Sequence, residues 1–163
     1  MIRKTKEDDF EQLVYLDANS GHIFYEKKPE WKKGISEWFR GMFDNINNDF
    51  YVYEEDGKIV GAIGLDKDFP IHNSCGIIFL AVLKEEHRKG IGKKLVQFIE
   101  NKAKENGNER IFLYTGDDNT SAQGFYLKLG YEKINEFPGY YSWGQTAFLY
   151  GKKLKKEKKK KKN

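Results

Sequence analysis

Apolar residues along this 163-residue chain recur at two spacings, and the changes between them mark out the secondary structure. Helical spacing appears first at Phe10, Leu13, Val14 and Leu16, with Thr5 as a candidate cap, Asp8 three residues on, and Gly21 closing the segment. It returns at Trp31, Ile35, Trp38, Phe39 and Met42 after Pro29, whose fixed φ suits a first helical turn. Ile91, Leu95, Phe98, Ile99 and Ala103 form a third stripe ended by Asn106-Gly107, and a fourth helix is expected from about Asn119 to Leu129, before Gly130. Strand runs fall at 2–4, 50–53, 58–65, 75–82, 110–115, 131–135 and 147–154. Asp56-Gly57 between two of them is a hairpin signal. The run 75–82 is apolar almost without interruption, as a strand covered on both faces should be.

Strand, helix and strand across residues 75–115 predict a right-handed parallel crossover, and the hairpins on either side make the remaining pairings antiparallel. The expectation is an α/β protein of the mixed α+β kind. One sheet of about seven mostly antiparallel strands would carry about four helices on its two sides, in a single domain over residues 1–154.

Composition narrows the classes. The longest apolar stretch, Gly76 to Leu83, is far short of the ~20 residues of a membrane helix. The first nine residues are charged and contain no apolar h-region, so a cytoplasmic protein is expected. Cys75, the single cysteine, cannot form an internal disulfide and is best read as a small core residue. His22, His72 and His87 lack metal-ligand spacing, and no metal is expected. The formal net charge of +4 belongs to the terminus: residues 155–163 hold seven Lys and one Glu, leaving 22 basic against 24 acidic residues in the body. Such a run is expected to be disordered, either as a solubilising end or as a weak contact for nucleic acid or another acidic partner.

The sharpest chemistry lies in Val82-Leu-Lys-Glu-Glu-His-Arg-Lys-Gly-Ile-Gly-Lys93, between a buried strand and a helix. Two glycines let the backbone approach a ligand closely, and a helical first turn offers unpaired N–H groups beside Arg88, Lys89 and Lys93. The physical reading is a diphosphate held by backbone N–H groups; taken alone, the loop reads equally as a plain basic turn that carries two glycines. It has neither the spacing of the nucleotide-hydrolase loop nor the third glycine of the dinucleotide fingerprint. Some 27 residues after Gly92 comes Asn119-Thr-Ser-Ala-Gln-Gly-Phe-Tyr-Leu-Lys-Leu-Gly-Tyr131. In these two motifs, their order and their setting, the chain closely resembles the GNAT family of acyl-CoA-dependent N-acetyltransferases over residues 2–154. His87 departs from the Gln or Arg usual at its place.

The resemblance implies a GNAT-like fold with a parallel central pair splayed apart, and acetyl-CoA as co-substrate. It implies that Leu80, Ala81 and Val82 pair with the pantetheine arm as an added strand would, and that the Val82 N–H stabilises the oxyanion. His87, Arg88, Lys89, Gly90, Ile91, Gly92 and Lys93 would hold the diphosphate, and Asn119 would cap its helix and reach the pantetheine. Tyr126 would sit beside the sulfur and protonate the departing thiolate. Cys75 lies seven residues before Val82, which favours direct attack in a ternary complex over an acyl-cysteine. No general base is assigned. Asp66, Asp68, Asp117 and Asp118 are candidates beside a water chain.

In this fold the acceptor groove lies between the first two helices and the last hairpin. Tyr140 and Tyr141, followed by Trp143, are the candidate substrate-binding residues, resembling the hairpin of protein N-terminal-amine acetyltransferases. His22, Tyr25 and Trp31 would shape the opposite wall, with Glu26, Glu30 and Glu136 nearby. The acceptor is thus expected to be a primary amine of a peptide, a protein or a small molecule. A non-catalytic acyl-CoA-binding module tethered by its tail is the alternative, and a homodimer stays open.

Overall fold

The structure, a computed structural model, describes residues 1–156. Seven strands form one sheet in the order β1-β2-β3-β4-β5-β7-β6. They are β1 (Ile2–Lys4), β2 (Asn48–Glu55), β3 (Lys58–Asp66), β4 (Ser74–Val82), β5 (Arg110–Gly116), β6 (Glu132–Phe137) and β7 (Ala147–Lys153). All neighbours are antiparallel except β4 and β5. The helices are α1 (Phe10–Ala18), α2 (Ile23–Lys27), α3 (Ile35–Phe43), α4 (Ile91–Glu105) and α5 (Thr120–Lys128), one more than the periodicity predicts. The addition is α2, a five-residue turn too short to show a stripe.

Helices cover both faces. On one, Phe39 of α3 packs edge-on against Phe79 of β4 at 5.1 Å and against Phe50 of β2 at 5.4 Å. On the other, Phe98 of α4 meets Tyr51 at 4.9 Å, and Leu95 and Ile99 are fully buried. Each such aliphatic side chain taken from water contributes about 1.5–3 kcal/mol, so the apolar stripes read from sequence fix which helix face turns inward.

Two helix starts differ from expectation. The Thr5 hydroxyl donates to the carbonyl of Phe50 at 3.1 Å instead of capping, and the Asp9 carboxylate accepts the Lys6 N–H at 2.7 Å. Asp9 also holds Arg3 at 2.8 Å, an ion pair that commits it to this corner. After Pro29 the chain makes a tight 3-10 turn, Pro29–Gly34, and the α-helix begins only at Ile35. The hairpin signal is realised: Asp56 and Gly57 both have positive φ, 50° and 75°, as the twist-matched two-residue turn requires.

The feature that makes a site is the parallel pair. β4 and β5 align at Ser74 with Arg110, Cys75 with Ile111 and Gly76 with Phe112, and there the pairing ends. β4 continues to Val82 and β5 to Gly116. The register against β3 shifts between Gly64 and Leu65, which leaves Ile78 as an extra residue in β4. A bulge bends its strand, and this one falls just past the last β4–β5 pair.

Candidate active site

Past Gly76 the two strands open into a cleft whose walls are backbone. The Leu83 N–H donates to Val60 of β3 at 2.9 Å. Because strand N–H groups alternate in direction, the N–H and carbonyl of Val82 point the other way, into the opening, as do those of Leu80. Ala81 faces its partner Ala62 on β3, so of these three residues the alternate two present polar groups to the cleft. The Val82 carbonyl is met by His87 Nε2 at 2.9 Å. This contact folds the imidazole back onto the strand end.

Beyond His87 the chain makes a concave run of amides. The His87 N–H is spent on the Lys84 carbonyl at 3.3 Å, whereas none of the N–H groups of residues 88–93 has an acceptor among the described residues. Arg88 and Gly90 both lie in the left-handed region, at φ 65° and 79°. For Arg88 this conformation costs on the order of 1–2 kcal/mol. Alternating hand turns successive N–H groups toward one point, and the first turn of α4 adds its own unpaired donors and the positive end of its dipole. Lys89 pairs with Glu86 at 2.6 Å. The arrangement can hold a multiply charged anion with backbone alone.

α5 closes the cleft from the α4 side. Asn119 caps it, its side-chain oxygen accepting the Ala122 N–H at 3.1 Å. Tyr126 is buried at 6% exposure, edge-on to Phe125 at 5.0 Å and to Tyr131 at 5.4 Å. Burial alone pushes its phenol pKa well above the usual 10, so it keeps its proton. Tyr131 donates to Glu100 at 3.0 Å, and Glu100 is also gripped by Lys152 at 3.0 Å, which pins α5, α4 and β7 together beneath the site.

The opposite mouth is aromatic. Phe69 stacks on Phe112 at 5.2 Å and neighbours Tyr114 at 6.3 Å. Tyr114 stacks on Tyr140 at 4.6 Å, Tyr140 meets Tyr141 at 5.2 Å, and Tyr141 stacks on Trp143 at 4.6 Å. Trp143 then meets Trp31 at 5.2 Å, so the last hairpin and the α2–α3 segment touch. The band is continuous from β5 to Trp31. Burial pushes the Tyr141 phenol up to about 12.

The proposed carboxylates separate into two groups. Asp66 pairs with Gly76 at the far end of β4, six residues or roughly 20 Å from Val82, and Asp68 follows it in the same turn. Neither reaches the cleft mouth. Asp117 and Asp118 follow β5 at the same edge as Val82. Gln145 donates to both, at 3.0 and 2.6 Å, and Lys27 pairs with Asp118. That ion pair, with the Gln145 hydrogen bond, holds the Asp118 carboxyl below the usual range.

Sequence reading gave His22 no more than a place in an aromatic wall. The Lys84 N–H donates to Asn19 at 3.1 Å and Gly21 lies against His87 and Lys84, which brings the α1–α2 loop to the end of β4. His22 opens to solvent at this mouth. Enclosure by the surrounding protein still lowers its imidazole pKa below 6.5, while Asp17 and Asp118 act to raise it. Asp17 is itself buried and accepts the Tyr25 hydroxyl at 2.6 Å. Nothing in local sequence marks His22; the electrostatic influence of Asp118 on it comes from 96 positions along the chain.

Among the described residues no group of three or more His, Cys, Asp or Glu is arranged to hold a metal ion, and no helix is long and apolar enough to cross a membrane. Tail residues 157–163 lie outside the described residues; Lys156, just before them, pairs with Glu109 at 3.0 Å.

Comparison with known proteins agrees with this geometry. The sequence profile of the Acetyltransferase (GNAT) family matches residues 10–131. An N-alpha-acetyltransferase of Saccharolobus solfataricus is 34% identical over 160 residues, covering 94% of this chain and 92% of that one. N-alpha-acetyltransferase 30 of Schizosaccharomyces pombe is 28% identical over 146 residues, covering 87% and 88%. The fold is shared with the PaiA N-acetyltransferase of Thermoplasma acidophilum in complex with coenzyme A, with a TM-score of 0.76 at 24% identity over 94% of this chain and 98% of that one. The chain therefore belongs to the GNAT acetyltransferases, acyl-CoA-dependent N-acyltransferases.

Proposed function

We propose that the protein transfers acetyl from acetyl-CoA to the α-amine of a peptide or protein N-terminus, directly and in a ternary complex. The observation that carries the donor half is the run of unpaired N–H groups at residues 88–93 at the open end of the β4–β5 cleft. These donors fit a diphosphate, and the unpaired edge of β4 fits the two amides of a pantetheine arm. Bound there, acetyl-CoA supplies an activated thioester carbonyl.

The chain's own residues do the rest. The Val82 N–H, aimed into the cleft, donates to the carbonyl oxygen as negative charge grows on it. His87 yields the Val82 carbonyl to the arm. The attacking amine, with a pKa near 8, must shed a proton. We take His22 as the group that accepts it: it opens to the same mouth, its imidazole pKa is lowered, and Asp118 acts on it from the β5–α5 loop. As the carbon–sulfur bond breaks, Tyr126 donates a hydrogen bond and its proton to the sulfur. Its raised pKa delays full transfer until charge has developed there. The second proton shed by the acylated nitrogen returns to the tyrosinate. Cys75 takes no part: its thiol is fully buried, pushed up to about 12, and roughly 23 Å along β4 from Val82.

The acceptor half rests on the aromatic band and on the relatives named N-alpha-acetyltransferases. Flat rings with hydroxyls at their rims suit a peptide backbone whose side chains vary. Acceptor panels test the choice: peptides with a free α-amine are acetylated, whereas the same peptides blocked at the N-terminus but carrying lysine, and small polyamines, are poor substrates. Equal or faster acetylation of the blocked peptides would move the assignment to lysine.

A further inference from the structure

Thr115 carries the one buried side-chain oxygen or nitrogen without a hydrogen-bond partner among the described residues, and the residue is 5% exposed. Leaving such a hydroxyl unpaired is costly, and a valine of the same shape would avoid the cost. Its position makes the anomaly informative. Thr115 lies on β5 three residues beyond Phe112, the last residue paired with β4, so it stands beside the open cleft. Counting on from the Gly76–Phe112 pair and allowing for the extra residue Ile78 brings it level with Leu80, whose backbone faces the same opening.

The direction of the side chain follows from β7. Ile111, Leu113 and Thr115 pair with Lys152, Tyr150 and Phe148, and paired residues share a face. Lys152 reaches Glu100 of α4 and the Leu129 carbonyl, so this is the face covered by α4 and α5. The Thr115 hydroxyl therefore points to the same side of the cleft as Tyr126 and the amide cradle. The aromatic band lies on the other face, carried by Phe112 and Tyr114.

We infer that Thr115 is a positioning residue for the donor: its hydroxyl hydrogen-bonds an amide of the pantetheine arm and fixes the depth at which the arm sits. The inference rests on the acetyl-CoA reading above. Loss of one neutral hydrogen bond of this kind weakens binding about three- to tenfold.

Isothermal titration of the full chain with acetyl-CoA, CoA and ADP tests it. ADP has the diphosphate but no pantetheine arm. In Thr115→Val the affinities for acetyl-CoA and CoA fall together by that factor, ADP affinity is unchanged, and the melting temperature without ligand is equal to or above wild type. Thr115→Ser restores the affinity for acetyl-CoA. A Thr115→Val protein that binds acetyl-CoA like wild type, or loses ADP affinity in parallel, would overturn the inference while leaving the donor site standing. Wild-type protein that binds neither acetyl-CoA nor CoA would remove both.

Discussion

Removing the Tyr126 hydroxyl leaves the ring that packs on Phe125 and Tyr131, so Tyr126→Phe separates chemistry from fold. Acetyl-CoA affinity should be unchanged and kcat should drop by about 10- to 100-fold, the lower part of the range for a lost general acid because a thiol is a fair leaving group unaided. A wild-type kcat in this variant would leave the tyrosine a packing role alone. For His22 the sign of the pH dependence is fixed by its lowered pKa. The neutral imidazole is the active form, so kcat/KM rises with pH and reaches its plateau through a pKa below 6.5. His22→Gln should lose that limb and about 100-fold in rate. A His22→Gln protein that keeps the limb below 6.5 would contradict His22 as the base. Tyr126 was singled out because a whole helix motif surrounds it, whereas no motif surrounds His22. A lone histidine in a loop acquires meaning from Asp17 and Asp118, which act on it from α1 and the β5–α5 loop.

At the scale of elements, the site depends on α4 and α5 keeping their places behind the cleft. The Glu100 carboxylate serves that purpose, accepting from Tyr131 and Lys152 at once. Glu100→Leu strands the Lys152 ammonium, which keeps partial access to water, and should lower unfolding free energy by about 2 kcal/mol in urea titration. Adding Lys152→Met should recover about half of that loss; no recovery would mean that the carboxylate acts through Tyr131 instead. Element boundaries followed closely from periodicity, because the stripes on α1, α3 and α4 bury against a sheet that needs them. The misses were local. Thr5 found a better acceptor in Phe50 across β2, and α2 is a single turn whose stability comes from contacts such as Lys27 with Asp118. Neither effect leaves a trace in residue spacing.

For the molecule as a whole, the proposed donor and acceptor sites lie toward opposite faces of one sheet. The cradle, Tyr126 and Thr115 stand on the α4–α5 side, and the aromatic band stands on the other, with Val82 at the opening between them. The crossover 75–115 was readable as parallel, and the splay was implied by family resemblance. The bulge at Ile78 that accompanies it, in an otherwise regular apolar run, is a tertiary choice that alternation does not encode. The measurement that bears most directly on this account is the melting temperature of the protein with and without acetyl-CoA. At about 100 times its dissociation constant the ligand adds about 2.7 kcal/mol, which for a domain of this length raises the melting temperature by roughly 5–10 °C. That shift is the predicted result. A cooperative melt that stays in place at millimolar acetyl-CoA would contradict the assignment of the β4–β5 cleft as the donor site.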